Sequence, residues 1–217
     1  MSVNLIRGVL PPERCDEVVE FIKKYDWTDG VAHDKDYCAK VKRNRELRGE
    51  DPRVKSLLKD LQTHIWKDES FNSTVFPLKA TTLRFNRYSE GECYASHADA
   101  ALMGVPPIRS DFSLTLFLTD DYDGGDLKFA EHTIKGMRGD LVVYPSHYIH
   151  EVTPVTKGER ICAIAWVQSL IRESLSRETM TRFYQLGLEM KERDHLSDLY
   201  TEAVSIYNNF LRTLSET

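Results

Sequence analysis

Thr82-Leu83-Arg84-Phe85-Asn86-Arg87-Tyr88 sets Leu83 and Phe85 on one side of an extended chain and Thr82, Arg84, Asn86 and Tyr88 on the other, because successive side chains of a strand point to opposite faces. Arg160-Ile-Cys-Ala-Ile-Ala-Trp166 repeats the pattern, with Arg160, Cys162, Ile164 and Trp166 sharing a face. A barrel lumen that holds a polar ligand needs such mixed faces. An ordinary surface strand alternates in the same way, so for either strand alone the two readings stand even.

Around these two stretches the texture is that of short strands and tight turns. Lys79–Tyr88, Asp111–Thr119, Asp126–Phe129, Asp140–Tyr144, His150–Val155 and Arg160–Gln168 read as strands, separated by Asp123-Gly-Gly125, Gly136, Gly139 and Lys157-Gly158. Many short strands with such punctuation predict a closed or double-sheet all-β unit. Helical spacing flanks it. Pro12 opens a pattern of Cys15, Val18, Val19, Phe21 and Ile22, and Pro52 to Trp66 carries Val54, Leu57, Leu58, Leu61 and Ile65. Asp29 to Gly49 reads as a charged loop or irregular hairpin. Beyond Glu173 the periodicity is helical to the end. The expectation is mainly β with flanking helices: residues 1–77 as helical support, 78–172 as the β core, and 173–217 as a helical extension.

The composition is that of an ordinary globular protein, with 41% hydrophobic and 29% charged residues in 217. A net charge of −5 speaks against a general nucleic-acid footprint. No apolar run approaches the roughly 20 residues that span a bilayer, and Met1 to Arg7 lacks a signal-peptide layout. Cys15, Cys38, Cys93 and Cys162 contain no Cys-x-x-Cys pair, which argues against a zinc site and a disulfide framework. Free thiols in the cytoplasm are the expectation.

Chemistry enters at Tyr94-Ala-Ser-His97-Ala-Asp99. On a strand, residues i and i+2 project to the same side, so His97 and Asp99 can reach one ion. A third ligand has to come from elsewhere, and His150 at the start of a later strand is the candidate. Two histidines and one carboxylate on one face leave three octahedral positions open, as non-haem iron oxygenases require. Alone, His-x-Asp is weak, being more often a surface or capping pair. His147 competes with His150, whereas His33, His64, His132 and His195 have no partner pattern. Arg160 strengthens the reading, because a guanidinium matches the far carboxylate of a keto diacid. If the strands from His150 and Arg160 are antiparallel neighbours, the arginine reaches the cavity of the ion. Its bland reading is a surface salt bridge at a turn.

Arg87-Tyr88-Ser-Glu-Gly-Glu-Cys-Tyr94-Ala-Ser-His97-Ala-Asp99 resembles the prolyl 4-hydroxylase-like signature of tyrosine, glycine, tyrosine and His-x-Asp. Leu114–Leu118, Tyr122-Asp-Gly-Gly-Asp-Leu127, Gly139–Pro145 and His150–Val155 continue the likeness in order. Trp166-Val-Gln-Ser-Leu-Ile-Arg172 and the helical tail are similar to the bacterial PKHD-type hydroxylases. The resemblance is specific from about Leu83 to Arg172 and weaker at both ends.

The resemblance implies a double-stranded β-helix, a jelly roll of cupin-like form. It implies iron(II) on His97, Asp99 and His150, 2-oxoglutarate held by Arg160, and oxygen as second co-substrate. Ascorbate would be the reductant. Tyr88 matches a position whose hydroxyl helps bind the co-substrate, and Trp166 an aromatic beside the same pocket. Phe117 departs from relatives that carry a co-substrate tyrosine there. The activity implied is hydroxylation of an unactivated carbon, with release of succinate and carbon dioxide.

Two rivals stand beside it. A cupin-like metal-binding protein without oxygenase activity would need no dicarboxylate clamp. A binding protein on a degenerate fold would not keep an intact ligand set. The substrate is open between a prolyl or other residue of a protein and a small molecule. Lys40 to Arg45 suits a basic flap over the site or a solvated loop. In the tail, Leu199, Ile206 and Tyr207 suit a homodimer contact or the monomer core.

Overall fold

Alternation of the kind seen at Leu83 to Tyr88 gives each long strand two apolar destinations, and the computed structural model, which describes residues 3–30 and 42–216, uses both. One sheet contains β1 (Asn4–Ile6), β2 (Thr28–Asp29), β4 (Arg45–Leu47), β5 (Pro77–Ala80), β6 (Arg84–Tyr88), β10 (Phe112–Phe117), β14 (Leu141–Pro145) and β17 (Arg160–Ser169). Its order is β1-β14-β10-β17-β6-β4-β2, with β5 also on β17. A smaller sheet takes β3 (Lys42–Arg43), β7 (Cys93–His97), β12 (Leu127–Phe129), β13 (Thr133–Ile134) and β15 (His150–Val152), in the order β13-β12-β15-β7-β3. Two further antiparallel pairs join β8 (Leu102–Met103) to β9 (Ile108–Arg109) and β11 (Asp123–Gly124) to β16 (Val155–Lys157).

The outer face of the large sheet packs on helices. Phe85, Leu114, Leu141, Val143, Ile161, Ala163 and Ala165 meet Cys15, Val18 and Ile22 of α1 (Pro12–Ile22) and Val54, Leu58, Leu61 and Ile65 of α2 (Pro52–Lys67) in one core. The inner face, with Tyr88, Phe117, Val142 and Tyr144, packs on Leu127, Phe129 and Val152 of the smaller sheet. Two antiparallel sheets face to face, backed by helices, make the jelly roll. The alternation of β17 divides it between these two cores, which is why Arg160, Cys162, Ile164 and Trp166 look inwards.

Short elements depart from expectation. Lys79–Tyr88 is two strands rather than one, and His150–Val155 likewise breaks after Val152. Four strands before residue 78 join the sheets although the sequence there looks helical or irregular. Each has only two or three residues, too few to display a period. A seven-residue helix, α3 (Glu69–Val75), follows α2 directly. Asp68 caps it by accepting from the Phe71 amide at 2.8 Å, as Asp51 caps α2 by accepting from Arg53. The tail forms α4 (Ser174–Asp194) and α5 (Asp198–Leu214). Met180, Tyr207, Leu211 and Leu214 tie it to Phe76 and Ile171.

One turn is steric in origin. Gly139 adopts φ +91°, and a Cβ there would lie 2.0 Å from the Leu10 carbonyl oxygen. The Gly139→Ala protein is therefore expected to lose at least about 2 kcal/mol in denaturant unfolding, from strain and displaced backbone together.

Candidate metal centre

His97 ends β7, Asp99 lies two residues beyond it, and His150 opens β15, where its Cα register partner is His97. Antiparallel pairing thus supplies the third donor. One ligand atom from each of the three residues lies within 4.8 Å of the others. The His97 Nδ1–H donates to the Ala95 carbonyl at 2.8 Å and the His150 Nδ1–H to the Tyr148 carbonyl at 2.9 Å. A carbonyl can only accept, so both Nε2 atoms keep their lone pairs. They stand 3.8 and 3.9 Å from the Asp99 carboxylate oxygens. Among the described residues no other group of this kind is present. His147, the rival of His150, is exposed and stands outside it.

The donors are held by neighbours that sequence reasoning missed. Ser113 Oγ donates to Asp99 at 2.5 Å and lies 2.9 Å from Ser146 Oγ. The Asp99 amide donates to the Ser146 carbonyl. Tyr144 places its hydroxyl 3.1 Å from His150 Nε2, and burial keeps that hydroxyl protonated by raising its pKa. Tyr94 stacks on His97 with ring centroids 3.6 Å apart. The alternation of Leu141-Val-Val-Tyr-Pro145 was the signal for Tyr144, because it puts Val142 and Tyr144 on the inner face. Nothing local marks the two serines.

Burial, followed by the neighbouring His150, pushes the His97 pKa down to about 4. An unfolded histidine titrates near 6.5, so between these values the unfolded chain binds the extra proton. The metal-free protein is expected to lose stability as pH falls from about 6.5 towards 4, with no such contribution above 7. Unfolding titrations should give up to one proton of slope in that window, and His97→Phe should remove it.

Arg160 does not reach the centre in the expected way. β17 pairs with β5, β6 and β10, whereas β15 pairs with β7 and β12. The strands of Arg160 and His150 are not neighbours; they lie in opposite sheets and face each other across the lumen. The arginine still lines the cavity of about 340 Å³ that holds His97, Asp99 and His150, as do Tyr88 and Trp166.

Arg160 is 1% exposed and, among the described residues, has no carboxylate within 4 Å. Its Nη1 reaches Cys162 Sγ at 3.0 Å, its Nε has no partner, and the rings of Tyr88 and Phe117 lie 5.3 and 5.2 Å from its guanidinium carbon. Tyr122 stands near it with a buried hydroxyl pushed up to about 12 by burial. A desolvated cation with spare donors is costly unless an anion completes it. The donor set fits a divalent metal of the non-haem iron type, and the orphaned guanidinium fits the far end of a dicarboxylate chelated to that metal.

Comparison with known proteins agrees with this geometry. Residues 83–168 match the family model of the 2OG-Fe(II) oxygenase superfamily. A PKHD-type hydroxylase of Nitrobacter winogradskyi is 34% identical over 225 residues, covering 99% of this chain and 100% of that protein. The PKHD-type hydroxylase YbiX of Escherichia coli O81 is 33% identical over 97% of this chain and 98% of its own. In fold, the chain is similar to the viral collagen prolyl hydroxylase of Paramecium Bursaria Chlorella virus-1 in its 2OG complex. That match has TM-score 0.54 and 19% identity, over 78% of this chain and 97% of that one. HygX from Streptomyces hygroscopicus, with nickel and 2-oxoglutarate bound, gives TM-score 0.58 at 12% identity, over 78% and 84%.

Proposed function

This chain belongs to the PKHD-type hydroxylases of the 2OG-Fe(II) oxygenase superfamily, and from that premise we propose that His97, Asp99 and His150 hold the iron and Arg160 the co-substrate. The enzyme is a 2-oxoglutarate-dependent dioxygenase. When bound, iron(II) with 2-oxoglutarate and oxygen supplies the oxidising power, and succinate and carbon dioxide are released. The protein contributes position and exclusion of water. Backbone carbonyls fix both imidazoles with Nε2 forward, Ser113 orients the Asp99 carboxylate, and Arg160 binds the 5-carboxylate of the keto acid. Tyr88 flanks that carboxylate, and Trp166 bounds the same cavity. Leu127, Val152 and Ile164 make its walls apolar.

The observation that carries this assignment is the buried Arg160, with no carboxylate partner among the described residues, in one cavity with the three-donor cluster. Iron(II)-reconstituted protein should form succinate from 2-oxoglutarate, slowly even without substrate. Absence of any turnover in fully metallated protein would overturn the assignment. A cupin-like metal binder without oxygenase activity finds no support in the family membership.

The catalytic unit is 78–172, with 1–77 as its support and 173–217 as an extension. Ascorbate sustains turnover by returning over-oxidised iron to the ferrous state. The free thiols of Cys15, Cys93 and Cys162 suit a reducing cytoplasm, and no described helix is long and apolar enough to cross a membrane. In the tail, Tyr207 packs on Phe183 and Tyr184, whereas Leu199 and Ile206 are exposed and suit a homodimer contact. The Lys40 to Arg45 flap falls partly outside the described residues. The substrate is an amino-acid residue or a small metabolite, hydroxylated at an unactivated carbon.

A further inference from the structure

A second arginine shares the cavity and has no part in the chemistry described so far. On β6, Arg84, Asn86 and Tyr88 face inwards, and their register partners on β17 are Ile164, Cys162 and Arg160. Arg160 and Arg84 therefore sit at opposite ends of one wall, four residues apart along the strands, or roughly 13 Å of backbone. That is longer than a five-carbon diacid, so a keto acid held at Arg160 leaves the Arg84 end free.

The surroundings of Arg84 are short of negative charge. Among the described residues its nearest carboxylate is Glu46, 1% exposed, at 3.5 Å from Nη1. Glu46 is also bound by Lys42 at 2.6 Å and Arg48 at 2.9 Å, so this one carboxylate is divided among three cations. Burial acts against the charged form of Arg84 and lowers its pKa, with Glu46 the largest influence in the other direction. The Arg84 Nε has no partner, and neither have the buried Asn86 Oδ1 and Trp166 Nε1 beside it. The guanidinium lies over the Trp166 ring, 4.6 Å from its centroid, which fixes its plane before any ligand arrives.

We propose that Arg84 is the anchor for a carboxylate on the substrate, so that the molecule hydroxylated is an acid held with its reacting carbon towards His97 and Asp99. This rests on the assignment of Arg160 to the co-substrate. A cationic substrate would add a like charge to Lys42, Arg48 and Arg84. A neutral one would leave the half-buried guanidinium with no more than its share of Glu46. The carboxylate belongs to a free small acid or to an Asp or Glu side chain of a peptide, and the chemistry at Arg84 is the same for both.

The test uses full-length protein loaded with manganese(II) and 2-oxoglutarate. It is titrated with N-acetyl L-amino acids as free carboxylates, with the matching carboxamides, and with amidated peptides containing Asp or Glu. Carboxylates are expected to bind about 10- to 100-fold tighter than their carboxamides, the range of one charge-assisted hydrogen bond. Preference among the free acids marks a small-molecule substrate, and preference among the acidic peptides marks a protein. Arg84→Gln should erase the discrimination while 2-oxoglutarate affinity stays within about threefold. Arg84→Lys, which keeps a charge beside Glu46 and guards against misfolding, should retain part of it.

Equal binding of carboxylates and carboxamides, or no binding by any probe, overturns the proposal. So does a loss of 2-oxoglutarate affinity in Arg84→Gln, since that would give the arginine to the co-substrate. Failure of the wild-type protein to bind 2-oxoglutarate at all would instead remove the assignment of Arg160 beneath it.

Discussion

Alanine at His97 or Asp99 is expected to abolish stoichiometric iron(II) binding and to bring succinate formation below detection. The site offers three protein donors, and each comes from a different local device: the end of β7, the turn beyond it, and the start of β15. None has a substitute among the described residues, because no further His, Cys, Asp or Glu joins the cluster. The loss should be chemical rather than structural. Asp99 contributes polar atoms to a lumen, and His97 stacks on Tyr94 at the edge of the inner core, so the Asp99 variant should unfold at a midpoint close to that of the metal-free parent and the His97 variant somewhat below it. Ser113→Ala is the graded comparison. It removes the hydroxyl on the Asp99 carboxylate and leaves the donors, and such outer partners are worth about 10- to 100-fold in metal affinity or activity. Metal content and succinate yield measured on the same samples decide the matter. An Asp99→Ala protein that retained iron and turnover would refute the assignment.

The second large effect is expected at Arg160. Replacement by Met, similar in length and without charge, should weaken 2-oxoglutarate binding by about 100-fold or more, as truncating one partner of a buried charge pair does. Iron binding should stay intact, because Arg160 is on the opposite sheet from His97 and His150. Stability should respond with the opposite sign. In the co-substrate-free protein the guanidinium is 1% exposed and faces a thiol and two aromatic rings instead of a carboxylate. Removing such a charge relieves a desolvation cost of several kcal/mol, partly offset by lost cation–π attraction of about 2 kcal/mol. The Arg160→Met protein should be at least as stable as the parent without 2-oxoglutarate, and adding the keto acid should no longer raise its melting temperature. A variant that melted far lower and still bound 2-oxoglutarate would show Arg160 to be a packing residue.

How much of this was legible in the sequence depended on range. The alternation grouped Arg84, Asn86 and Tyr88, and Arg160, Cys162, Ile164 and Trp166, as they line the cavity, because the pleat is a property of neighbouring residues; it did not say that these faces meet a lumen rather than solvent, and Thr82, grouped with them, lies exposed ahead of β6. His-x-Asp was legible for the same reason, although Asp99 lies just past the end of its strand. Strand partners were not legible. Nothing within a dozen residues of His150 says that it lies opposite His97 rather than beside Arg160; the strands of His150 and Arg160 are not neighbours, and the arginine reaches the cavity from the facing sheet. The short pieces before residue 78 were invisible because two or three residues carry no period. Ser113 and Ser146 looked like ordinary small polar residues and became functional only when the fold brought them to Asp99. Arg84 read as the polar half of an alternation, and its shortage of counter-charge appeared only with Glu46, Lys42 and Arg48 in place.

The central position of β17 has a temporal consequence. Its partners β5, β6 and β10 lie roughly 50 to 90 residues upstream in the chain, so during synthesis they wait unpaired along that edge until residues 160–169 leave the ribosome. A nascent chain ending before Arg160 already contains His97, Asp99 and His150, but neither the wall that closes the lumen nor the cation that recruits the keto acid. Iron picked up by such an unfinished chain would have no partner with which to activate oxygen. Late arrival of one strand means that the reactive centre is completed only after every other strand of the jelly roll has been made, with the helical tail alone still to follow, and ties its capacity for oxidation to a finished β core.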